Sequence, residues 1–193
     1  MKTILLNPFE RYSETILIPT GILITLLGSL LAAQYNARFD GILDLHFVEN
    51  ANFFNLLIDN LSNLICLIIP LFIAGKIING KTRFIDIVSI SLISRIPYYI
   101  LPIFNFNNLL FLQGTEIQEL GSKHEIKDLS GLDPILLILF IITVLLVLIW
   151  YISLLYKGFK TSTNGKGNKI IILFSAAILI AEISSKILII QIS

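Results

Sequence analysis

Residues 135–156 read ILLILFIITVLLVLIWYISLLY. A helix crossing the ~30 Å hydrocarbon core of a bilayer needs about 20 mostly apolar residues, and this run supplies them without a charge. Barrel strands alternate apolar and polar side chains over about 10 residues, and no such alternation exists here. Lipid offers the backbone no hydrogen-bond partners, so a segment of this composition satisfies its own N–H and C=O groups as a helix.

Working outward, four more segments have the same character. Residues 16–34 open as ILIPTGILITLLGSLLAA. Residues 55–78 hold Asn63 and Pro70 in an apolar run, with helical spacing extending back to Phe53. Residues 84–104 carry Arg95, Pro97 and Pro102. Residues 170–192 are interrupted by Glu182 and Lys186. The fold class this predicts is all-α: a polytopic membrane bundle of five transmembrane helices forming a single membrane domain over residues 1–193.

Composition agrees. Of 193 residues, 55% are hydrophobic and 14% charged, with mean hydropathy +0.87; soluble domains carry about 25% charged residues. A water-soluble enzyme, a disordered tail and a nucleic-acid binder are excluded, the last because the net charge is only +1 and gives no field for a polyanion. One cysteine and two histidines leave no disulfide framework and no Cys-rich metal site. No nucleophile–base pair or ligand cluster stands out, so the reading is non-enzymatic, with no catalytic, cofactor-binding or metal residues assigned.

The joints carry turn and cap chemistry. Asp133 before Pro134 reads as a helix start, Lys157-Gly158 as the close of the fourth segment, and Asn79-Gly80 and Asn164-Gly165-Lys166-Gly167 as turns. The opening MKTILLNPFERYSE reads as an interfacial stretch broken by Pro8. The first span, with Glu10 and Glu14 before it, reads as a retained anchor and not a cleaved signal.

Five spans leave the connectors on two sides. Lys2, Arg11, Lys76, Lys81, Arg83, Lys157, Lys160, Lys166 and Lys169 share one side, and Arg38, Lys123 and Lys127 the other. The asymmetry predicts a cytoplasmic N-terminus and an external C-terminus. The external connectors hold Asp40, Asp44 and Glu49, then Glu116, Glu119, Glu125, Asp128 and Asp133. A solvated face is the simpler reading of these acids; weak divalent-cation or partner binding is the alternative. His46 and His124 read as surface residues.

A charge at the bilayer centre costs about 2.5–3.5 kcal/mol on insertion scales and needs a partner. Arg95 and Glu182 lie at matching depths, within about 2 Å at ~1.5 Å per residue, which predicts a pair between packed helices. Lys186 is one turn beyond Glu182, and Asp59 is placed to reach Lys186 near the outer leaflet. These four form the candidate intramembrane polar cluster, read either as interhelical pairing or as an ion- or proton-coupled path. Pro97 and Pro102 are the candidate bend residues; each frees a carbonyl four residues earlier, with Ser89, Ser91 and Ser94 available to re-satisfy the backbone. Gly28 with Ala32 and Ser29 with Ala33, and then Ala177, Ala181 and Ser185, permit close helix approach. Cys66 reads as packing.

Four places in the chain resemble the Yip1-domain membrane proteins: Asn7-Pro8-Phe9 before the first span; Gly80-Lys81-Thr82-Arg83-Phe84 leading to a span with Pro97 and Pro102; Trp150 to Tyr156 followed by Lys157-Gly158-Phe159-Lys160; and a basic hairpin before a last span with Ala181-Glu182. The resemblance covers nearly the whole chain. It implies five spans with a cytosolic N-terminus and a non-enzymatic role. Eukaryotic members act in early secretory traffic and contact prenylated Rab-type GTPases. This chain has a short stub before its first span and the Ile/Asn/Lys usage of an AT-rich bacterial genome, so a Rab-type GTPase is not an expected partner. The expected setting is the bacterial inner membrane, with the lipid bilayer, other membrane proteins or further copies of the chain as partners and no nucleic acid. A scaffold or membrane-organising role is the first reading. A small transporter or lipid-handling protein using the bent third helix, Arg95 and Glu182 is the alternative.

Overall fold

The computed structural model describes residues 7–123 and 134–192, with the side chains of 119–123 left aside. The Asp133 cap, His124, Glu125 and Asp128 lie outside the described residues. After a 3-10 turn at Pro8–Glu10, the chain forms α1 (Glu14–Gln34), a hairpin of two short antiparallel strands, β1 (Ala37–Arg38) and β2 (His46–Phe47), and then α2 (Phe53–Ile78). Next come α3 (Phe84–Ser94), a 3-10 stretch (Ile96–Asn108), α4 (Leu109–Lys123), α5 (Pro134–Thr163) and α6 (Asn168–Ile192). Five helical stretches are long and apolar enough to cross a membrane: α1, α2, residues 84–118, α5 and α6.

The third span corrects the sequence reading, which has one kinked helix over residues 84–104. Its α-helical part ends at Ser94, and Arg95 caps it. Pro97 cannot donate to the helix, and the chain tightens into 3-10 turns, the Tyr98 N–H donating to Arg95 C=O at 2.9 Å. The nearby serines do not re-satisfy the backbone freed by the prolines: Ser89 Oγ donates to Ile85 C=O, a turn earlier, and Ser91 and Ser94 Oγ are buried without a partner. Helical geometry then fails at Asn105–Asn107, where Asn107 has φ 53°. Asparagine tolerates this left-handed region better than most residues, and Asn36, Asn107 and Asn108 all occupy it.

The interrupted span is the axis of the bundle. In its most apolar window 72% of residues are buried, against 11% for α5, which is therefore a peripheral helix facing lipid along most of its length. α1, α2 and α5 surround α3 and the 3-10 stretch, and α6 packs chiefly on α2. Glycines set the closest approaches. A Cβ on Gly21 would stand 2.6 Å from the Leu92 Cβ, and one on Gly28 would run into the Tyr99 ring. Ala177, Ala181 and Ser185 are buried in α6.

Gly158 also departs from expectation. α5 continues past Lys157-Gly158 to Thr163. The glycine is there for packing, since its Cβ would meet Ile90 at 2.8 Å and Phe9 at 2.9 Å. The two expected turns are present. Asn79 Oδ1 accepts from Lys81 N–H and Asn79 C=O from Thr82 N–H, while Asn164 and Gly167 both have positive φ.

Overpacking a close helix contact costs about 1–3 kcal/mol or more. Gly28→Val is therefore expected to lower the thermal midpoint of the detergent-solubilised protein by several degrees. Gly80→Ala, with open space around it, is expected to leave the midpoint unchanged; equal effects of the two would refute the packing assignment.

Candidate functional site: a hairpin tip seated inside the bundle

The connector between α1 and α2 is not a solvated loop. Its strands sit at the acidic end of the bundle, and its tip, residues 39–45, turns inward. Phe39 and Ile42 are fully buried. The tip is non-helical, so its peptide groups need partners from elsewhere in the protein wherever it lies at membrane depth.

Those partners are the polar residues of the spans. The Arg95 guanidinium donates through Nη1 to Ile42 C=O at 3.4 Å. The Leu43 N–H donates to Glu182 Oε2 at 2.9 Å. Ile42 C=O and Leu43 N–H belong to one peptide bond. Arg95 and Glu182 thus grip opposite ends of a single peptide dipole, the cation at its negative end and the carboxylate at its positive end. Beside it, Ile42 N–H donates to Ser185 Oγ at 3.3 Å, and Asn63 Nδ2 donates to Phe39 C=O at 2.8 Å. Gly41 lies so near Glu182 that a Cβ would fall 2.8 Å from its Oε1.

Arg95 has 0% exposure and no carboxylate within 4 Å among the described residues. Its charge is compensated in two other ways. Nη2 donates to Asn60 Oδ1 at 3.3 Å, and Asn60 Nδ2 passes the network on to Ser29 Oγ at 2.9 Å. Three aromatic rings surround the guanidinium, Phe39 at 5.9 Å, Tyr98 at 5.8 Å and Tyr99 at 5.9 Å. A desolvated cation–π contact contributes up to about 2 kcal/mol.

The expected direct Arg95–Glu182 pair is replaced by this peptide-bridged arrangement, because the hairpin tip occupies the space between the two side chains. The expected Asp59–Lys186 contact is likewise absent. Asp59, 1% exposed, is held by Arg38 of β1 in a two-point contact at 2.7 and 3.2 Å; that hydrogen bond raises the Arg38 pKa above its ordinary value and keeps the charge in place. Lys186 lies 3.4 Å from Glu182 on its own helix and 2.7 Å from Asp44 of the hairpin. Asp40 contacts His46 and Arg38 across the hairpin base. Of the acids in this connector, Asp40 and Asp44 are therefore engaged in holding the hairpin. Pro97 and Pro102 follow Arg95 and set the point where the helix gives way.

Sequence reasoning missed Asn60, Gly41 and the Asn36–Asn105–Asn108 cluster. Asn105 Nδ2 donates to Tyr35 C=O at 2.7 Å, and Asn36 Nδ2 to Asn108 Oδ1 at 3.0 Å, tying the end of α1 to the break in the third span. A signal was present: RFDGILDLHF, residues 38–47, is too apolar for a loop in water. Among the described residues, no group of three or more His, Cys, Asp and Glu is placed to hold a metal.

Five apolar spans around an inserted hairpin define a multi-pass membrane protein. The chain belongs to the Yip1 domain family, whose pattern matches residues 9–185, a stretch that includes Asn63, Arg95, Glu182 and Ser185. No curated protein and no solved structure matches it.

A buried donor or acceptor left without its partner costs about 1–3 kcal/mol. Arg95→Leu and Glu182→Ala are each expected to destabilise the protein by about that amount, and the double variant by less than the sum, with a coupling of about 0.5–3 kcal/mol because both act through one peptide group. Unfolding measurements on the four proteins of the cycle test this; strict additivity would refute the shared-peptide arrangement.

Proposed function

We propose that this protein is a non-enzymatic scaffold or membrane-organising protein of the bacterial inner membrane, with its N-terminus in the cytoplasm and its C-terminus outside. One observation carries the reading: the charges in the spans are spent on holding the protein's own hairpin. Arg95 and Glu182 grip a peptide bond and Asp59 grips Arg38, which is the work of a rigid framework. The excess of Lys and Arg at the opposite end of the bundle from the hairpin supports the orientation.

A second reading, a small transporter, draws on a different observation. Arg95 Nε, Ser91 Oγ, Ser94 Oγ and Tyr151 Oη are buried without partners. If the hairpin tip left its seat, these groups would line a polar recess able to receive a hydrated anion.

Reconstitution into liposomes separates the two. The scaffold reading expects ion flux no greater than in protein-free vesicles, with wild-type protein and Arg95→Leu alike; flux that disappears in Arg95→Leu would establish the transporter. Reporters fused to the two termini are expected in opposite compartments, the N-terminal one in the cytoplasm.

A further inference from the structure

A second structured region lies at the Lys/Arg-rich end, away from the hairpin. Two cavities lie between α1, α3 and α5 and share Tyr12 and Leu17 in their walls. The first, about 220 Å³, is lined by Glu14, Arg83, Asp86, Ser89, Thr161 and Ser162, among others. The second, about 330 Å³, is apolar and lies deeper, against Ile93, Ile96, Pro97, Trp150 and Leu154. Together they fall within the ~300–1,000 Å³ range of small-molecule sites. The stub before α1 crosses them, Phe9 and Tyr12 against the first and Pro8 and Tyr12 against the second.

The polarity changes once, along the axis of α3. From Asp86 to Ile96 the chain rises about 15 Å at ~1.5 Å per residue, half of a ~30 Å hydrocarbon core. A polar recess at one face beside an apolar one about a leaflet deep matches a lipid, with its headgroup outermost and an acyl chain inside.

The polar chamber also selects among headgroups. Arg83 is clamped, its Nη1 3.0 Å from Glu14 and its Nη2 2.6 Å from Asp86, with Nε bonded to Asp86 as well. Two carboxylates against one guanidinium leave the chamber net negative. The hydroxyl protons of Ser89, Thr161 and Ser162 are already donated to the carbonyls of Ile85, Lys157 and Phe159, so these oxygens present only lone pairs. The chamber therefore needs a cationic donor, while the remaining N–H groups of Arg83 suit a phosphate.

We propose that this groove binds one glycerophospholipid carrying a primary ammonium on its phosphate, a phosphoethanolamine-type headgroup. The ammonium sits beside Glu14 and Asp86, the phosphate beside Arg83, and one acyl chain runs past Tyr12 to Trp150. A choline headgroup has no N–H to donate, and a glycerol headgroup has no cation. The site is separate from the hairpin seat and is independent of the scaffold reading.

Trp150 is the single tryptophan and lies in the acyl chamber, so it reports occupancy. The protein is reconstituted in phosphatidylcholine vesicles with increasing fractions of bromine-labelled phosphatidylethanolamine, phosphatidylcholine or phosphatidylglycerol of identical chains. The expected result is half-quenching of Trp150 at a mole fraction about tenfold lower for the ethanolamine lipid, the weight of one charge-assisted hydrogen bond. Asp86→Asn and Thr161→Lys, the latter an exposed position, are each expected to abolish the preference, and Asp86→Glu to retain it. Chain-free glycerophosphoethanolamine at matched concentration is expected not to relieve the quenching. Equal quenching by the three lipids overturns the proposal, as does a preference surviving in Thr161→Lys, or relief by the chain-free headgroup.

Discussion

A peptide bond inside a bilayer must be hydrogen-bonded, and outside a helix it cannot do this for itself. The structure is organised around one consequence of that rule. The tip of the β1–β2 hairpin enters the bundle, and the Ile42–Leu43 peptide lies between Arg95 and Glu182. Each charge has the peptide dipole as its partner, and the peptide has both charges as its hydrogen-bonding environment. Asn63 and Ser185 satisfy neighbouring groups of the tip. Residues that are costly in a membrane are thus used where non-helical backbone requires them.

The third span breaks at the same place. Arg95 ends the α-helix with its guanidinium against the tip and among three rings, and Pro97 ensures that the α-helix does not continue. The 3-10 turns that follow place Tyr98 and Tyr99 against Phe39, with ring centroids 5.5 and 5.6 Å apart. Gly28 lets α1 approach Tyr99, and Gly41 lets the tip approach Glu182. Packing and polar satisfaction are therefore coupled: enlarging either glycine pushes on the elements that hold the buried cation. α5 turns Tyr151, Leu155 and Phe159 to the interior and faces lipid along most of its apolar length, which is why it is the most uniformly apolar segment.

The chain has two polar regions at opposite ends, with different characters. At the acidic end, polar groups are consumed internally, by the hairpin seat, the Arg38–Asp59 contact and the asparagine cluster. At the Lys/Arg-rich end, Glu14, Arg83 and Asp86 line a cavity that has Tyr12 and Leu17 in common with an apolar one.

Span number and helical character were legible in the residues alone, because length and apolar content are local properties. That the chain belongs to the Yip1 domain family was legible as well, from short motifs such as Gly80–Phe84 and Ala181-Glu182. Which partners the buried charges choose was not. Depth along a helix axis says that Arg95 and Glu182 can face each other; it does not say that the connector of residues 39–45 lies between them. Nor does the sequence near Gly158 tell whether a glycine ends a helix or admits a neighbour. Those outcomes depend on how five helices pack sideways, and only the tertiary structure decides them, since lateral contacts join residues far apart in the chain and leave no periodic mark on it.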